Sequence, residues 1–247
     1  IRGYLTLPAG REAKGLPLIV HPHGGPFLIE DGWGFESTPA ALASRGYAVL
    51  QVNFRGSGGY GHDFVNAGKR GWATTMIDDI VDGTRWATEQ GIADPARIGI
   101  YGGSYGGYAA LMCGVREPDL FRGVATFAGV SDLLNWKKDS DVGERRRGRN
   151  YIDEFIGASD DSLRAASPVA QIDKLKAPVF IAHGEDDERV PISQAKELRK
   201  ALKKTDHEHE WLSFDGEGHG LYKPENRTLL LTRLIAFFDR TLEPPAP

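Results

Sequence analysis

Short, almost uninterrupted runs of apolar residues recur along this chain, and longer stretches with helical periodicity separate them. Runs without alternating polar positions are typical of strands that are buried on both faces of a parallel sheet. Strands that alternate with helices need crossover connections, so the sequence predicts an α/β fold. The predicted strands are residues 16–20, 47–53, 98–102, 123–128, 178–183 and 210–214, and the predicted helices are 36–44, 75–90, 106–116, 193–203 and 225–242.

Two segments depart from this alternation. Residues 3–8 (GYLTLP) predict an antiparallel edge strand that ends at Pro8. Residues 131–168 are polar and irregular, and they contain the basic run RRRGR at 145–149. An insert of this length in a compact domain is usually a functional loop, a cap or a disordered segment. We interpret the arginine run as a solvated loop, with binding of a phosphate or a substrate carboxylate as the alternative.

The segment 98–112 joins a predicted strand to a predicted helix through the sequence GGSYGG. Within it, Gly102, Ser104 and Gly106 fit the pattern G-x-S-x-G of a nucleophile elbow. In such a turn the serine sits on strained backbone, and its hydroxyl projects above the edge of the sheet. The helix that begins behind it adds partial positive charge where an oxyanion would form. Ser104 is therefore the candidate nucleophile.

A serine hydroxyl is a weak nucleophile and needs a base together with an acid that orients the base. In α/β-hydrolases these partners follow in the order serine, acid, histidine. His219 lies in a Gly-rich loop after the last predicted strand and is the candidate base. The acid is expected after the strand that ends at His183, where Asp186 and Asp187 are both candidates. Spacing alone does not choose between them.

Composition narrows the choice of partners. The 247 residues carry 30 Lys plus Arg against 34 Asp plus Glu, a formal net charge of −4. This balance gives no long-range attraction to nucleic acid or to an anionic membrane surface. The apolar runs are all far shorter than the ~20 residues that a membrane span needs. We therefore expect neither nucleic acid nor membrane as a partner.

The single cysteine, Cys113, excludes an intramolecular disulfide, so stability does not depend on an oxidising compartment. For the cellular location we favour the cytoplasm, and the alternative is a periplasmic or secreted protein from which a signal peptide was removed. No metal and no organic cofactor is expected. The pair His21 and His23 has no further ligands nearby, and the glycines of RGSGGYG (55–61) lack the helix start and acidic residue of a dinucleotide site.

Five motifs follow one another along the chain: HGGP, NFRGSGGYG, GGSYGG, HGEDDERVP and GEGHG. With these motifs the chain resembles the catalytic domain of the prolyl oligopeptidase family of serine peptidases, and it is most similar to the acylaminoacyl-peptidase and dipeptidyl-peptidase branch. The resemblance implies an α/β-hydrolase fold, a mostly parallel twisted sheet flanked by helices. It implies Ser104 as nucleophile and His219 as base. In the family the acid lies four residues after the strand-ending histidine, which favours Asp187 over Asp186.

The resemblance also implies domain boundaries in the chain. Residues 1–243 correspond to the catalytic domain, and the Pro-rich residues 244–247 are expected to be disordered. Family members normally carry a β-propeller domain before this one, covering the mouth of the active site, and no such domain is present in this chain. We expect a propeller in the full-length protein, and an oligopeptide as the substrate.

Two donors are expected to form the oxyanion hole. One is the backbone N–H of Tyr105, the residue after the nucleophile. In some relatives a tyrosine hydroxyl is the second donor, but the HGGP loop offers no tyrosine, so the acylaminoacyl branch implies the N–H of Gly25 instead. Arg189 follows the acid closely enough to reach a substrate carbonyl, or to form a salt bridge to a neighbouring Glu.

The substrate pocket of relatives lies beside the loop after strand 123–128 and the residues after the acid. Carried over to this chain, it would be lined by Val130, Leu133, Trp136 and Val190, which predicts a preference for an apolar P1 residue. As an alternative, Leu133 and Trp136 anchor the loop in the core. The expected function is hydrolysis of short peptides through an acyl-enzyme on Ser104. The alternatives are a carboxylesterase-like hydrolase of small esters and a non-catalytic binding domain.

Overall fold

The structure is a computed structural model, and it describes residues 1–242. Its strands are β1 (Arg2–Thr6), β2 (Leu16–Val20), β3 (Ala48–Asn53), β4 (Ala93–Gly103), β5 (Gly123–Phe127), β6 (Val179–Gly184) and β7 (His209–Phe214). The helices outside the irregular insert are α1 (Ser37–Ser44), α2 (His62–Ala67), α3 (Thr75–Glu89), α4 (Tyr105–Arg116), α9 (Ser193–Lys204) and α10 (Pro224–Thr241). The insert contains α5 (Leu133–Asp139), α6 (Asp141–Glu144), α7 (Arg146–Phe155) and α8 (Asp160–Ala165), followed by a 3₁₀ segment, Pro168–Lys174.

The strands form one seven-stranded sheet in the order β1-β3-β2-β4-β5-β6-β7. Among the strands of residues 1–242, only β1 is antiparallel; it pairs with β3 at the edge, as predicted for the leading segment. Strand β3 lies on one side of β2, and the strands from β4 onward lie on the other side. Ligands of open α/β sheets bind outside the carboxyl ends of the strands at such a reversal of strand order. The topology therefore points to the loops after β2 and β4 as the place for a site.

The sheet is covered on both faces, which explains the continuous apolar runs. In β2, Leu18 and Val20 join the larger core cluster, on the face covered by α3, α4 and α9, whereas Ile19 joins the cluster formed with α1 and α10. All three side chains are fully buried. Successive strand residues point to opposite faces, so both faces of β2 need apolar side chains. The predicted fold class is confirmed.

The insert between β5 and β6 differs from the expected loop. It forms four short helices, three of which begin with a side-chain cap: Asp132 for α5, Ser140 for α6 and Ser159 for α8. A cap satisfies N–H groups that the first turn leaves without partners. The segment therefore folds into helices too short to show a clear periodicity. The run RRRGR occupies the start of α7 rather than a loop.

The other differences are small. Helix α2 lies in the segment 62–67, where the sequence showed only a poor helix start, and β4 begins five residues before its predicted start. The expected disordered tail, 244–247, lies outside the described residues. None of the helices in residues 1–242 combines the length and apolar character needed to cross a bilayer.

Candidate active site

Ser104 occupies the turn between β4, which ends at Gly103, and α4, which begins at Tyr105. Its backbone has φ 56° and ψ −122°, a conformation that costs a non-glycine residue roughly 1–3 kcal/mol. The Ser104 N–H donates to the carbonyl of Phe127 on the neighbouring strand at 2.9 Å. The turn is therefore sharp, strained and held by the sheet, as the motif predicted.

Two glycines make this turn sterically feasible. A Cβ on Gly102 would lie 2.3 Å from the carbonyl carbon of Gly106, and a Cβ on Gly106 would lie 2.1 Å from the carbonyl oxygen of Pro22. Neither distance is compatible with a real side chain. Helix α4 can start directly above β4 and beside the loop after β2 only because both positions lack a Cβ.

Three side chains from separate loops meet at this turn. His219, between β7 and α10, places Nε2 2.9 Å from the Ser104 hydroxyl and Nδ1 2.8 Å from Oδ2 of Asp187, which follows β6. A carboxylate only accepts, so the imidazole carries its proton on Nδ1 and donates it to Asp187. The bare Nε2 then accepts the hydrogen bond from the Ser104 hydroxyl. This is the arrangement in which an imidazole can take a proton from serine.

Asp187 is buried and strongly hydrogen-bonded. Its Oδ1 accepts from the backbone N–H groups of Arg189 and Val190, both at 2.9 Å. The Nε2 of His183, 2.7 Å from the Val190 carbonyl, lies 3.4 Å from Oδ2. Burial raises the pKa of Asp187, but the hydrogen bonds from His183, His219 and Val190 outweigh it and hold the pKa at about 2. Asp187 is therefore a carboxylate at any physiological pH. The other candidate acid, Asp186, is exposed and hydrogen-bonds neither His219 nor any other described side chain.

Two backbone segments lie where oxyanion donors are expected. Tyr105 is the first residue of α4, so its N–H has no acceptor within the helix. The loop after β2 brings Gly24 so close that a Cβ built on it would lie 3.5 Å from the Ser104 Cβ. Gly25 follows at φ +117°, a left-handed conformation that favours glycine. Both loop glycines and Tyr105 line the same cavity as Ser104.

This cavity, termed the Ser104 cavity below, has a volume of about 990 Å³ and is lined by Ser104 and His219 among others. Val130, Trp136 and Val190, three of the residues predicted for the substrate pocket, line this cavity. These three residues are almost completely buried, so they form the floor and not the rim. An apolar floor beside the serine can hold an apolar side chain.

Leu133 does not reach the Ser104 cavity, contrary to the prediction. It is fully buried at the start of α5, where its N–H donates to the Ser167 hydroxyl at 2.9 Å. The alternative, an anchor in the core, describes it correctly. Trp136 combines both roles, because it lines the cavity while its indole N–H donates to the Arg189 carbonyl at 2.8 Å. The Arg189 guanidinium pairs with Asp141 at 3.0 Å and not with a Glu.

Some lining residues were not predicted as site residues. Ile29 follows the HGGP motif, Trp72 precedes α3, and Tyr151, Arg145 and Arg147 come from the insert. Trp72 packs against Trp136 with ring centroids 6.0 Å apart. Trp72 stands in a segment without periodicity, so no sequence signal identifies it. The two arginines belong to the basic run 145–149, for which the sequence allows binding of a substrate carboxylate as the alternative.

The remaining motifs have structural partners. Arg55 of RGSGGYG forms a two-pronged ion pair with Asp79, whose side chain is buried, at 2.7 and 2.8 Å. Asp79 lies within α3 and not at the end of a strand, as a dinucleotide site would require. His21 donates to the Tyr101 carbonyl, and burial lowers its pKa. Within residues 1–242 no group of three or more His, Cys, Asp or Glu side chains is arranged to hold a metal ion.

A mostly parallel sheet with a serine elbow after β4, an acid after β6 and a histidine after β7 defines a serine hydrolase of the α/β-hydrolase fold. The sequence model of the prolyl oligopeptidase family matches residues 33–244. The chain therefore belongs to the prolyl oligopeptidase family of serine peptidases.

Relatives of known sequence agree with this assignment. The chain is similar to dipeptidyl aminopeptidase BIII of Pseudoxanthomonas mexicana, with 37% identity over 90% of this chain and 34% of that protein. It is also similar to the acylamino-acid-releasing enzyme of Arabidopsis thaliana, with 32% identity over 91% of this chain and 30% of that protein. The chain thus spans about a third of the length of these relatives.

Solved structures show the same fold. One is an acylaminoacyl peptidase in complex with Z-Gly-Gly-Phe-chloromethyl ketone, with a TM-score of 0.89 and 30% identity over 99% of this chain and 40% of that chain. Another is a puromycin-hydrolyzing peptidase of Mycobacterium tuberculosis, with a TM-score of 0.90 and 29% identity over 97% of this chain and 37% of that chain.

Proposed function

We propose that the protein hydrolyses short peptides through an acyl-enzyme on Ser104. The observation that carries the proposal is the continuous line of hydrogen bonds from Asp187 through His219 to the Ser104 hydroxyl, at 2.8 and 2.9 Å. Distances of this kind place a base within reach of the proton that it must remove. The strained backbone of Ser104 supports the proposal, because strain of this kind collects at functional sites.

In the proposed reaction the Ser104 oxygen attacks the peptide carbonyl while His219 Nε2 takes its proton. Asp187 holds the Nδ1–H tautomer and stabilises the imidazolium that forms. The N–H groups of Tyr105 and Gly25 donate to the oxyanion of the tetrahedral intermediate. His219 then gives its proton to the leaving amine. Water, activated by the same imidazole, attacks the ester of Ser104 and releases the acid.

The floor of the Ser104 cavity supports an apolar residue at P1. Val130, Trp136 and Val190 offer no charge to pair with a polar P1 side chain. The similar acylaminoacyl peptidase was solved with a chloromethyl ketone whose reactive end follows Phe, an apolar residue. Arg189 is proposed to reach a substrate carbonyl from the rim. Its half-exposed side chain, held by Asp141, leaves donors free for this contact.

The full-length protein is proposed to include a further domain, a β-propeller, over this face. Support comes from the length of the relatives, of which the chain spans about a third. It also comes from exposed apolar side chains in the segment that follows the HGGP motif. Ile29 lines the Ser104 cavity, and the neighbouring Leu28, Trp33 and Phe35 are 71%, 93% and 86% exposed. Several large apolar side chains exposed along one short segment are typical of an interaction surface.

The direct test is Ser104→Ala with a fluorophosphonate probe and matched peptide and ester substrates. We expect the unmodified protein to be labelled at Ser104 and to cleave peptides with Ala or Phe at P1 faster than those with Lys. Ser104→Ala is expected to lose labelling and about 10⁶ in kcat, with an unchanged circular dichroism spectrum.

Each alternative gives a different result. Hydrolysis of esters without peptides would favour a carboxylesterase, and a native protein that is not labelled would favour a binding domain. A preference for Lys at P1 would contradict the apolar pocket alone.

A further inference from the structure

The arginines of the run 145–149 have different surroundings. Arg145 and Arg147 line the Ser104 cavity, whereas Arg146 does not. Arg149 is committed to the fold, since its Nη1 donates to the carbonyls of Gly143 and Glu144 at 2.8 and 2.7 Å. Arg145 and Arg147 form no ion pair with any residue in the described part of the chain. Two cations without a counter-charge therefore face the cavity that holds Ser104.

The fold fixes the helix that carries them. Helix α7 is tied to α5 by the Lys137–Asp153 ion pair at 2.6 Å. The same C-terminal end of α7 packs on the loop after β2, where the rings of Phe27 and Phe155 lie 4.8 Å apart. A Cβ on Gly148 would lie 1.8 Å from the Val142 carbonyl oxygen, so α7 also packs tightly on α6. The positions of Arg145 and Arg147 beside the cavity thus follow from packing on three sides.

The acidic residues of the cavity lie outside α7, on α6 and on the loop after β6. Asp186 and Glu188, on the loop after β6, are exposed acids without an ion pair among residues 1–242, and Asp141 is already paired with Arg189. A negative group in the cavity is repelled near the loop after β6 and attracted at the start of α7. The first turn of α7 itself contains no acidic residue, and the acid next to Arg145 in the chain is Glu144, at the end of α6.

We propose that Arg145 and Arg147 bind a carboxylate of the peptide substrate and thereby select acidic or short free-ended peptides. The inference rests on the proposed function and names the substrate class of the same site. A guanidinium matches a carboxylate with paired N–H donors. The carboxylate has two sources, the C-terminus of a short peptide and the side chain of Asp or Glu, and one experiment separates them.

The experiment compares peptides of one sequence that differ only in charge. The first has a free C-terminal carboxylate, the second a C-terminal amide, and the third a C-terminal amide with Glu in place of Gln. The value of kcat/KM is measured for the unmodified protein, for the double variant Arg145→Gln/Arg147→Gln and for the matched control Arg146→Gln. Labelling of Ser104 by a fluorophosphonate shows that each variant keeps a folded site.

We expect the unmodified protein to prefer at least one carboxylate peptide over the neutral peptide by about fivefold, the upper value for an ion pair between exposed groups. The preference is expected to fall towards one in the double variant, to persist in Arg146→Gln, and to weaken in high salt because the charges are screened. Preference for the first peptide alone identifies the C-terminus, and preference for the third alone identifies a side chain.

The inference is overturned if the neutral peptide is cleaved as well as the charged ones, or if the double variant keeps the full preference. In both outcomes Ser104 is labelled and peptides are cleaved, so the proposed function stands. If Ser104 is not labelled and no peptide is cleaved, the proposed function fails and the inference falls with it.

Discussion

Asp187 and Asp31 are both buried carboxyl groups in loops that follow parallel strands, with only 5% and 7% of their surface exposed, yet they ionise very differently. Asp187 has N–H donors on both oxygens, and its pKa lies at about 2. Asp31 has Gln51 as the donor to Oδ1, and no described residue donates to Oδ2. Burial raises the pKa of Asp31 to about 7, the hydrogen bond from Gln51 opposes this rise, and the nearby charge of Glu36 adds to it.

The difference shows that burial does not decide the charge of a carboxyl group. The number of donors does, because each donor stabilises the ionised form that burial disfavours. The site region supplies donors from a backbone turn and two histidines, which keeps a charge where the mechanism needs one. The loop around Asp31 supplies fewer donors, and a carboxyl group there remains partly protonated near neutral pH.

The largest effect is expected at Asp187. Asp187→Asn keeps the shape but removes the charge that fixes the His219 tautomer, so kcat/KM should fall by about 10⁴. The matched variant Asp186→Asn should change kcat/KM by less than about tenfold. A steady-state assay on one peptide decides: an active Asp187→Asn with an inactive Asp186→Asn would show that the acid is misassigned.

The next effect concerns stability at Asp31. In the unfolded chain its pKa is 3.8. As the pH rises from about 4 to about 7, the unfolded state loses this proton while the folded state keeps it. The free energy of unfolding therefore falls by up to about 4 kcal/mol. Above about pH 7 the loss is constant. Asp31→Asn should flatten this fall in the free energy of unfolding, measured by urea denaturation from pH 4 to 8.

Glu30→Gln is the control for Asp31→Asn, because Glu30 is an exposed neighbour. An equal flattening in both variants would mean that surface charge in general, and not the buried Asp31, sets the pH dependence.

The smallest effect is expected at His183. Its Nε2 faces two acceptors, the Val190 carbonyl and Asp187, so it carries the proton and helps to hold the carboxylate. His183→Leu should lower kcat/KM by about tenfold, the value of one lost hydrogen bond to a charged group. His183→Gln, which retains an N–H donor, should lose less. Equal losses in the two variants would show that ring packing matters and the donor does not.

The strands and the serine turn were predictable because each leaves a local signal. Strand β2 was predicted at its observed bounds, Leu16–Val20, since burial on both faces requires apolar residues at every position. The turn at Ser104 was predictable because only glycine fits at positions 102 and 106. In both cases the physical requirement, burial or lack of a Cβ, falls on the same residues whose types reveal it in the sequence.

The insert was not predictable in the same way. Its helices are set by caps such as Asp132 and by contacts with distant residues, among them the bond from Trp136 to the Arg189 carbonyl. The placement of Leu133 in the core and of Arg147 at the cavity depends on how these short helices pack. Such tertiary contacts leave no periodic pattern in the sequence.

Gly106 lies so close to the Pro22 carbonyl that no space for a side chain remains between the loop after β2 and the helix behind Ser104. A shift of that loop towards the helix would therefore bring backbone into contact with backbone directly beside the nucleophile. The helices α5 to α8 are held to the same frame, because Phe155 packs on Phe27 of that loop and the Tyr108 hydroxyl of α4 donates to the Ala166 carbonyl at 2.7 Å. A substrate therefore enters a cavity whose walls, the loop after β2 and the helices of the insert, are both anchored beside the nucleophile.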